Sequence, residues 1–446
     1  MSALTLAIVI AFVFGYACIA LESVIKVNKA AIALFMMVIC WTLFMINPEA
    51  YMGTTPDGVM AAVSEAIERH LGSASTTLFF LMGAMTIVEV VDQNGGFNFV
   101  RTALKTTGKR TLLWRIALMT FLLSAILDNL TTSIVMIMVL RKLVSKPADR
   151  MIYAGLVVIA ANAGGAFSPI GDVTTIMLWN QGLISAEGVI KELLIPSLVS
   201  MVLPAFLLQF SLHGQLDSAD TTSDDDTEDE LTSRERKAVF FLGVGGLIFV
   251  PIFRHLTGLP PFMGILLVLS VVWLATELFY AHLRKKPKSG GWHNRVSRLL
   301  AHIDMSTILF FMGILMAVSC LEEVGVLTGL GRWLDTASGG NHYVVTGTIG
   351  ILSSIVDNVP LVAGCMGMYP LAPTGDMAID GIFWQLLAYC AGVGGSMLII
   401  GSAAGVVVMG LERISFGWYL RHISWTALAG YLAGMGCYWI ERTFLF

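Results

Sequence analysis

The sequence predicts an all-α polytopic membrane protein: two inverted repeats of five transmembrane helices, each with a re-entrant hairpin and a broken helix. Three observations support this fold class. Hydrophobic residues make up 56% of the 446 residues and charged residues only 13%, about half the charged share of a typical soluble chain. Apolar runs long enough to span a bilayer recur along the chain. Polar motifs of the first half also return in the second half.

The same composition excludes several other classes of protein. Six cysteines in so long a chain are too sparse for a secreted disulfide scaffold. A net charge of −4 leaves no basic surface for nucleic acid. No phosphate loop, dinucleotide fingerprint or zinc-ligand spacing is present, so we expect neither an enzyme nor a cofactor. We expect no cleaved signal peptide, and the first span is predicted to remain as an anchor.

Ten crossings and two hairpins account for the apolar runs. A crossing helix needs about 20 mostly apolar residues. Runs of this kind lie near residues 4–21, 29–46, 75–92, 191–212, 237–256, 261–282, 304–325 and 423–441. The interrupted stretches 151–180 and 382–412 are predicted to cross as broken helices. Residues 112–145 and 343–372 carry an Asp-Asn pair in the middle, and we predict that each enters and leaves on one side.

Lysine and arginine give the predicted orientation, because cytoplasmic loops are enriched in them. A periplasmic N-terminus places most of the 27 basic residues inside, including Lys26, Lys29 and those that flank residues 112–145. Counting each hairpin as a full crossing would put these flanking residues on opposite faces. We therefore predict two periplasmic termini, a first hairpin that opens to the cytoplasm and a second that opens outward.

An internal repeat lies on either side of an acidic segment. At an offset of about 230 residues, three motifs recur: residues 81–83 match 311–313, residues 124–129 match 353–358, and residues 163–172 match 393–402. Each half holds an odd number of crossings, so the second half is inverted relative to the first. The predicted domains are residues 1–212 (first repeat), 213–236 (acidic cytoplasmic linker) and 237–446 (second repeat).

Polar side chains in the interrupted helices are the first candidates for function. Asn162, Ser168 and Asp172 accompany several glycines and Pro169. Irregular backbone within a bilayer must be buried or must line a cavity. Close helix packing would explain the glycines alone, but it leaves the polar side chains unexplained.

The Asp-Asn pairs at the two predicted hairpin tips are the second candidates. An aspartate in the middle of a membrane is a functional hypothesis by default, although Asp128 and Asp357 could equally cap helices. Because the pair recurs at both tips, we predict that the tips face one shared site. Other acids, such as Glu322 and Glu412, lie near span ends, where we expect them to be solvated. Glu89 lies about a turn deeper, where a role at a cytoplasmic entrance is the alternative to solvation.

Two stretches of the first half resemble NhaD-type sodium/proton antiporters. They are Ser124-Ala-Ile-Leu-Asp-Asn-Leu-Thr-Thr and Asn162-Ala-Gly-Gly-Ala-Phe-Ser-Pro-Ile-Gly-Asp-Val-Thr-Thr. The second-half segments Asp-Asn-Val-Pro and Gly-Val-Gly-Gly-Ser are similar to that family as well, and the resemblance covers nearly the whole chain. It implies the ion transporter superfamily fold and exchange of cytoplasmic Na⁺ or Li⁺ for external protons, for sodium and pH homeostasis. It also implies a bacterial inner membrane and a homodimer.

The resemblance carries an ion-binding role onto Asp128, Asn129, Asn162, Asp172, Thr174, Thr175, Asp357 and Asn358. The full set of candidate transport residues adds the neighbouring hydroxyls of Thr131, Thr132, Ser168, Ser353, Ser396 and Ser402. Our hypothesis is that the carboxylates of Asp128, Asp172 and Asp357 bind Na⁺. Protons and Na⁺ would then compete for one site, with alternating access between the two sides.

Two other functions fit parts of the sequence. The nearer one is a proton- or sodium-coupled carboxylate or oxyanion carrier of the same superfamily, whose dicarboxylate members have Ser-Asn-Thr at the hairpin tips. Here Asp stands first at each tip, and three carboxylates would repel a dianion but suit a small hard cation. An intramembrane aspartyl protease needs a carboxylate pair, but it explains neither the repeat nor the broken helices.

Overall fold

The computed structural model describes residues 2–20, 25–53, 58–96, 100, 103–216, 233–283, 305–355 and 357–444. It gives their side chains except at positions 20, 233–234 and 280–283. Most of the predicted acidic linker therefore lies outside the described residues, as does the basic cluster at 284–288. Within the described residues the regular structure is helical, apart from one isolated bridge between Gly108 and Gln215.

The first half is built from nine helices in its described part. They are α1 (Ala3–Ala20), α2 (Lys29–Phe44), α3 (Glu49–Met52), α4 (Val59–Gln93), α5 (Lys109–Leu127), α6 (Asn129–Leu143), α7 (Pro147–Ala166), α8 (Val173–Asn180) and α9 (Ala186–Leu208). The crossing predicted at 75–92 is the second half of α4, whose 35 residues exceed the length of one span.

The second half contributes ten more helices among the described residues. They are α10 (Ser233–Thr257), α11 (Pro261–Leu283), α12 (Met305–Glu323), α13 (Val326–Ser338), α14 (His342–Ser353), α15 (Asn358–Met368), α16 (Ile382–Gly394), α17 (Ala403–Glu412), α18 (Phe416–His422) and α19 (Ser424–Phe444). The sequence had not indicated α13 or α18. Both helices are short, and α13 carries polar residues on one face. Neither therefore forms an apolar run of the length expected for a crossing.

Six of the described helices are long and apolar enough to cross a membrane, by length and composition: α4, α5, α9, α10, α11 and α12. The helices α1, α2, α16 and α17 are apolar but shorter. The predicted breaks at 151–180 and 382–412 are confirmed, because irregular backbone separates α7 from α8 and α16 from α17. The chain is a multi-pass membrane protein.

Both predicted hairpins turn back on themselves. Lys109 at the start of α5 pairs with Asp149 at the start of α7, with 2.6 Å between Nζ and Oδ2. Because α6 ends only a few residues before α7 begins, the two ends of the first hairpin lie on one side. His342 at the start of α14 likewise pairs with Asp376, which follows α15, with 2.9 Å between Nδ1 and Oδ2. The length of α5 alone would allow a crossing, yet the chain reverses after it.

Helix packing follows the inverted repeat. Helix α2 packs on α12, and α4 packs on α11. In each half, the second long helix therefore contacts the third long helix of the other half. Trp41 of α2 donates its indole N–H to the carbonyl of Met316 in α12 at 2.8 Å. The last long helices of the halves, α9 and α19, pack on each other.

Glycine lets each hairpin approach its broken helix closely. A Cβ added at Gly164 would lie 2.2 Å from the carbonyl oxygen of Phe121 in α5. A Cβ added at Gly394 would lie 2.2 Å from the carbonyl oxygen of Gly350 in α14. No side chain fits at such distances, so the glycines that repeat in the sequence are explained by the same backbone contact made twice.

A serine hydroxyl supports each of these contacts. Ser124 Oγ donates to the carbonyl of Ala161 at 2.6 Å, and Ser353 Oγ donates to the carbonyl of Ala391 at 2.8 Å. The two bonds occupy matching places in the repeats. The serine that begins both hairpin motifs therefore has a structural role.

A buried carboxylate joins the halves at the end of α17. Glu412 accepts hydrogen bonds from Arg141 Nε at 2.8 Å and from Arg150 Nε at 2.5 Å, and its side chain is 1% exposed. The expectation that Glu412 is solvated is wrong, because the arginines at the end of α6 and the start of α7 enclose it. These two ion pairs connect the first hairpin and the start of α7 to the second broken helix.

Candidate functional site

Asp172 lies where both hairpins meet the first broken helix. The residue is 1% exposed, and it caps α8 by accepting a hydrogen bond from Thr174 N at 3.1 Å. Its carboxylate also accepts from the side-chain amide of Asn129 at 3.2 Å and from that of Asn358 at 3.2 Å. Asn129 and Asn358 come from the tips of opposite hairpins. The prediction that the tips face one site agrees with this geometry.

The polar network continues into the second half. Asn129 Nδ2 also donates to Asn162 Oδ1 at 2.9 Å, and Asn162 Nδ2 donates to Ser402 Oγ at 3.0 Å. Ser402 caps α17 by accepting from Gly405 N at 3.2 Å. Every side chain in this chain of hydrogen bonds is buried. The network therefore connects the two broken helices directly, and the tip of the first hairpin joins it through Asn129.

Asp128 lies beside this network rather than in it. Its backbone has a φ of 94°, a conformation that favours glycine. Its Oδ1 accepts from Thr131 N at 2.8 Å, and its Oδ2 accepts from Thr131 Oγ1 at 2.8 Å. Both carboxylate oxygens thus cap the first turn of α6. The sequence allowed a capping role and a transport role for this residue, and the contacts show the cap.

Asp357 has a different partner. Its Oδ1 caps α15 through Val359 N at 3.4 Å, and its Oδ2 lies 3.6 Å from Lys29 Nζ. Asp128 and Asp357 directly precede Asn129 and Asn358, the two residues whose side chains hydrogen bond to Asp172. Sequence reasoning used Lys29 only to orient the chain. Its contact with Asp357 joins α2 to the second hairpin. The two residues are far apart in the sequence, so no local sequence motif predicts this contact.

Four of the predicted hydroxyls hold the helix breaks in place. Those of Ser168, Thr175, Ser353 and Ser396 donate to backbone carbonyls at 2.5, 2.9, 2.8 and 2.7 Å respectively. The hydroxyls of Thr132 and Thr174 are buried without a hydrogen-bond partner among the described residues. A buried polar atom of that kind is costly, and both lie in the first turns of helices that begin at the network. They are available as oxygen ligands.

The three predicted carboxylates do not form one shell. No group of three or more His, Cys, Asp or Glu side chains that could hold a metal ion occurs in the described part of the chain. Asp172 is instead surrounded by amides, with Asp128 and Asp357 at its flanks. An ion of single charge needs only one carboxylate to neutralise it, with neutral oxygens completing its coordination. The single negative charge of Asp172 would balance one monovalent cation.

Gly392 determines the space beside Asp172. A Cβ added at Gly392 would lie 3.5 Å from Asp172 Oδ2 and 3.2 Å from Ala166 Cβ. In the repeat, Gly392 corresponds to Asn162. The first half therefore places an amide against Ser402, whereas the second half places no side chain against Asp172.

Two cavities approach the network from opposite ends of α12. The first, of about 310 Å³, is lined by Lys29, Asp357 and Ser402 among others. It lies at the start of α12, where Ser306 Oγ hydrogen bonds to Asn28 Oδ1 at 3.0 Å.

The second cavity, of about 390 Å³, lies at the other end of α12. It is lined by Arg69, His70 and Glu322, and it extends to Met177, which is less than one helical turn beyond Thr174. The first cavity thus reaches the network at Ser402, and the second approaches it near Thr174. Sequence reasoning identified neither cavity, because each is built from helices that are distant in the chain.

Comparison with known proteins places the chain among transporters. A family described as "Citrate transporter" matches residues 16–387. "Sodium/proton antiporter 1" of Arabidopsis thaliana is 44% identical over 432 residues, which cover 97% of this chain and 72% of that protein. "Na(+)/H(+) antiporter NhaD" of Vibrio parahaemolyticus is 31% identical over 387 residues, which cover 81% of this chain and 88% of the relative.

A solved structure shares the fold. The crystal structure of the Alcanivorax borkumensis YdaH transporter superimposes with a TM-score of 0.61, covering 94% of this chain and 99% of that one. The sequences are 14% identical, so the likeness concerns the architecture alone.

Proposed function

The chain belongs to the NhaD-type sodium/proton antiporters within the citrate transporter family, and from this premise we propose that it exchanges Na⁺ or Li⁺ for protons. The observation that carries the proposal is the convergence of Asn129 and Asn358 on Asp172. This arrangement provides one buried carboxylate with two neutral amide side chains beside it, and each amide carries an oxygen as well as the N–H group that it donates to Asp172. It suits a small monovalent cation better than an anion.

Competition for Asp172 couples the two ions. Neutral donors hydrogen bond to Asp172 but do not neutralise its charge, and a buried charge without a counter-charge is unfavourable, so Asp172 is most stable with either a bound proton or a bound cation. Cytoplasmic Na⁺ displaces the proton, and an external proton later displaces Na⁺. Thr132 and Thr174, whose hydroxyls have no other partner in the described structure, supply further oxygens to the ion.

Alternating access follows from the inverted repeat. The hairpins and broken helices move together, because Asn129 and Asn358 must both stay on Asp172. The cavity at Lys29 serves the cytoplasmic side and the cavity at Glu322 serves the outside. The surrounding long helices form the scaffold and the contact of a homodimer.

The orientation follows the distribution of basic residues. Arg141 and Arg150 flank the first hairpin, and the positive-inside rule assigns them to the cytoplasm. Both termini then lie on the periplasmic side of a bacterial inner membrane. Sodium/proton antiporter 1 of Arabidopsis, at 44% identity, is more similar to this chain than the Vibrio parahaemolyticus NhaD at 31%, so the bacterial part of this proposal rests on the NhaD likeness alone.

A carboxylate carrier is the second candidate, and the citrate transporter family match favours it. A dianion would meet the buried carboxylate of Asp172 and the carboxylates of Asp128 and Asp357, which directly precede the two asparagines that contact Asp172. Each such contact is repulsive by about 4 kcal/mol at 4 Å and an effective dielectric constant of 20. Cation exchange is therefore the better supported function.

Everted vesicles that carry a ΔpH-sensitive dye test the proposal. Addition of Na⁺ or Li⁺ should dissipate the pH gradient, and addition of citrate with a membrane-impermeant counter-cation should not. The KM for Na⁺ should fall as the pH rises, because fewer protons compete. An intact gradient after Na⁺ and Li⁺ addition from neutral to alkaline pH would contradict antiport. Dissipation by citrate alone would support the carboxylate carrier.

A further inference from the structure

Lys29 is the first residue of α2, a position where local structure gives no reason for a cation. The N-terminus of a helix is its positive end, and a positive side chain there is unfavourable. Capping is already provided by Asn28, whose Oδ1 accepts from Ala30 N at 2.8 Å. The charge of Lys29 must therefore be stabilised by contacts outside α2.

Two such contacts lie within the part of the chain that the structure describes. Lys29 Nζ lies 3.6 Å from Asp357 Oδ2, and both side chains are largely buried, at 25% and 18% exposure. The same ammonium lies 4.4 Å from the ring centroid of Phe310, which is fully buried. A cation at this distance from an aromatic face is attracted to it. Lys29 thus has a carboxylate and an aromatic ring within reach at once.

The repeat does not duplicate this arrangement. The positions that match Lys29 in the second half, residues 259–261, are Leu-Pro-Pro. Asp128, which matches Asp357, bonds with both oxygens to Thr131 instead. Lys29 is therefore not part of the scaffold that the two halves share, and it makes the two hairpin tips electrostatically different.

The cavity of about 310 Å³ gives the ion pair access to the network. Among its described lining residues, Lys29 is the one base and Asp357 the one acid, and Ser402 of the network is also in the wall. Tyr16 lines it too, and its buried hydroxyl has no hydrogen-bond partner in the described structure. The other lining residues are apolar. An ion that enters from this side meets the Lys29–Asp357 pair before it reaches Asn358 and Asp172.

We propose that Lys29 is an internal cation with which Na⁺ competes for Asp357. This inference rests on the proposed sodium/proton exchange and identifies a residue that sets its apparent affinity. Without Na⁺, the ammonium neutralises Asp357. An arriving Na⁺ takes the carboxylate oxygen, and the ammonium moves against the ring of Phe310. When Na⁺ leaves, Lys29 returns, which keeps the site from holding the ion too tightly.

Removal of the competitor should tighten Na⁺ binding. In Lys29→Met, the KM for Na⁺ should fall by about fivefold, the effect of one partly exposed charge pair. The maximal rate should fall as well, because release becomes slower. Lys29→Arg keeps the charge and should stay near the wild-type KM. A lysine with a merely structural role would lower the rate without lowering the KM.

The measurement is Na⁺-dependent dye dequenching in everted vesicles, with Lys26→Met as the matched control. Lys26 is exposed in the same loop, so its replacement should leave the KM unchanged. A second measurement works without transport: the NaCl concentration that gives half the maximal rise in Tm of the purified protein, at ionic strength balanced with choline chloride. This midpoint should also fall in Lys29→Met. In Asp357→Asn, adding Lys29→Met should not move it further.

The outcomes separate the two proposals. If the wild type shows no Na⁺-dependent exchange, the proposed function fails and the role of Lys29 fails with it. If the wild type exchanges Na⁺ while Lys29→Met has an unchanged or higher KM, the function stands and the inference about Lys29 is overturned. Should Lys29→Met not accumulate, Lys29→Gln replaces it with the same expected direction.

Discussion

Asn162 and Ser402 join the two broken helices through a hydrogen bond of 3.0 Å between Nδ2 and Oγ. The repeat makes the backbone around them nearly symmetric, yet the reciprocal pair is Gly392 and Asp172, in which one partner has no side chain. The site is therefore asymmetric where the two broken helices meet. The space that Asn162 fills next to Ser402 is left open next to Asp172.

Gly392→Ala should reduce the size of the ion that fits beside Asp172. The added Cβ would approach Ala166 Cβ to 3.2 Å and Asp172 Oδ2 to 3.5 Å. Overpacking of this kind costs about 1–3 kcal/mol, so we expect the KM for Na⁺ to rise about tenfold and that for the smaller Li⁺ to rise less. Gly410→Ala, at a position with no atom within 4 Å, is the control. Equal increases for both ions would contradict this account of selectivity.

Asp172→Asn keeps the shape of the side chain and removes its charge. Transport should fall by about a hundredfold or more, because loss of a close charge pair is worth several kcal/mol. Vesicle assays normalised to the amount of inserted protein measure the effect. Asp226→Asn in the acidic segment is the control, and its activity should stay near wild type. A fully active Asp172→Asn protein would remove this residue from the site.

Ser353→Ala should weaken the fold without changing ion affinity. The mutation removes the hydrogen bond to the carbonyl of Ala391, a loss of about 1 kcal/mol. We expect a lower Tm and an unchanged KM for Na⁺. Ser402→Ala provides the contrast, because it removes both the acceptor of Asn162 and the cap of α17, and it should raise the KM as well. A changed KM in Ser353→Ala would assign that hydroxyl to the ion.

Glu412→Gln should destabilise the protein strongly. It leaves Arg141 and Arg150 without their shared carboxylate, and breaking a buried pair costs about 3 kcal/mol or more. Thermal unfolding in detergent measures the loss. Glu187→Gln, at an exposed position in the first turn of α9, is the control. A Tm within one degree or so of wild type would mean that the cluster contributes little.

Cysteine labelling tests the two-hairpin topology. Arg110→Cys and Lys146→Cys, at the two ends of the first hairpin, should react with an impermeant thiol reagent from the cytoplasmic side only. Ala337→Cys and Thr374→Cys, at the two ends of the second hairpin, should react from the opposite side only. The native cysteines are buried or half-buried and should give a low background. If positions 110 and 146 label from opposite faces, residues between them cross the membrane.

Local sequence was sufficient for the part of the site that lies within the repeated motifs. Asp172 and Asn162 were predicted from a polar run in a broken helix, and Asn129 and Asn358 from the paired tips. Their convergence followed from the inverted repeat, because two tips that enter from opposite sides meet in the middle. The structure adds the distances. It also shows which candidate residues belong to the hydrogen-bonded network and which hydroxyls bond to backbone carbonyls instead.

Contacts between distant helices could not be predicted in the same way. Lys29 and Glu412 looked like span-end charges, and each is instead paired with a residue of the other half. Neither has a periodic pattern or a neighbouring motif that would reveal its partner. Gly392 was visible only as one glycine among several, and its role emerged from the carboxylate that lies opposite it.

The division of the site between the halves has a consequence for the order of synthesis. Asp172 emerges from the ribosome 186 residues before Asn358, and Asn162 emerges 240 residues before Ser402. A lone ionised carboxylate in lipid is unfavourable, so in the newly inserted first half Asp172 must either hold a proton or stay in contact with water until the later helices arrive. The second hairpin therefore completes the surroundings of this carboxylate late in synthesis. A chain whose translation stops before that hairpin lacks one of the two amides that contact Asp172.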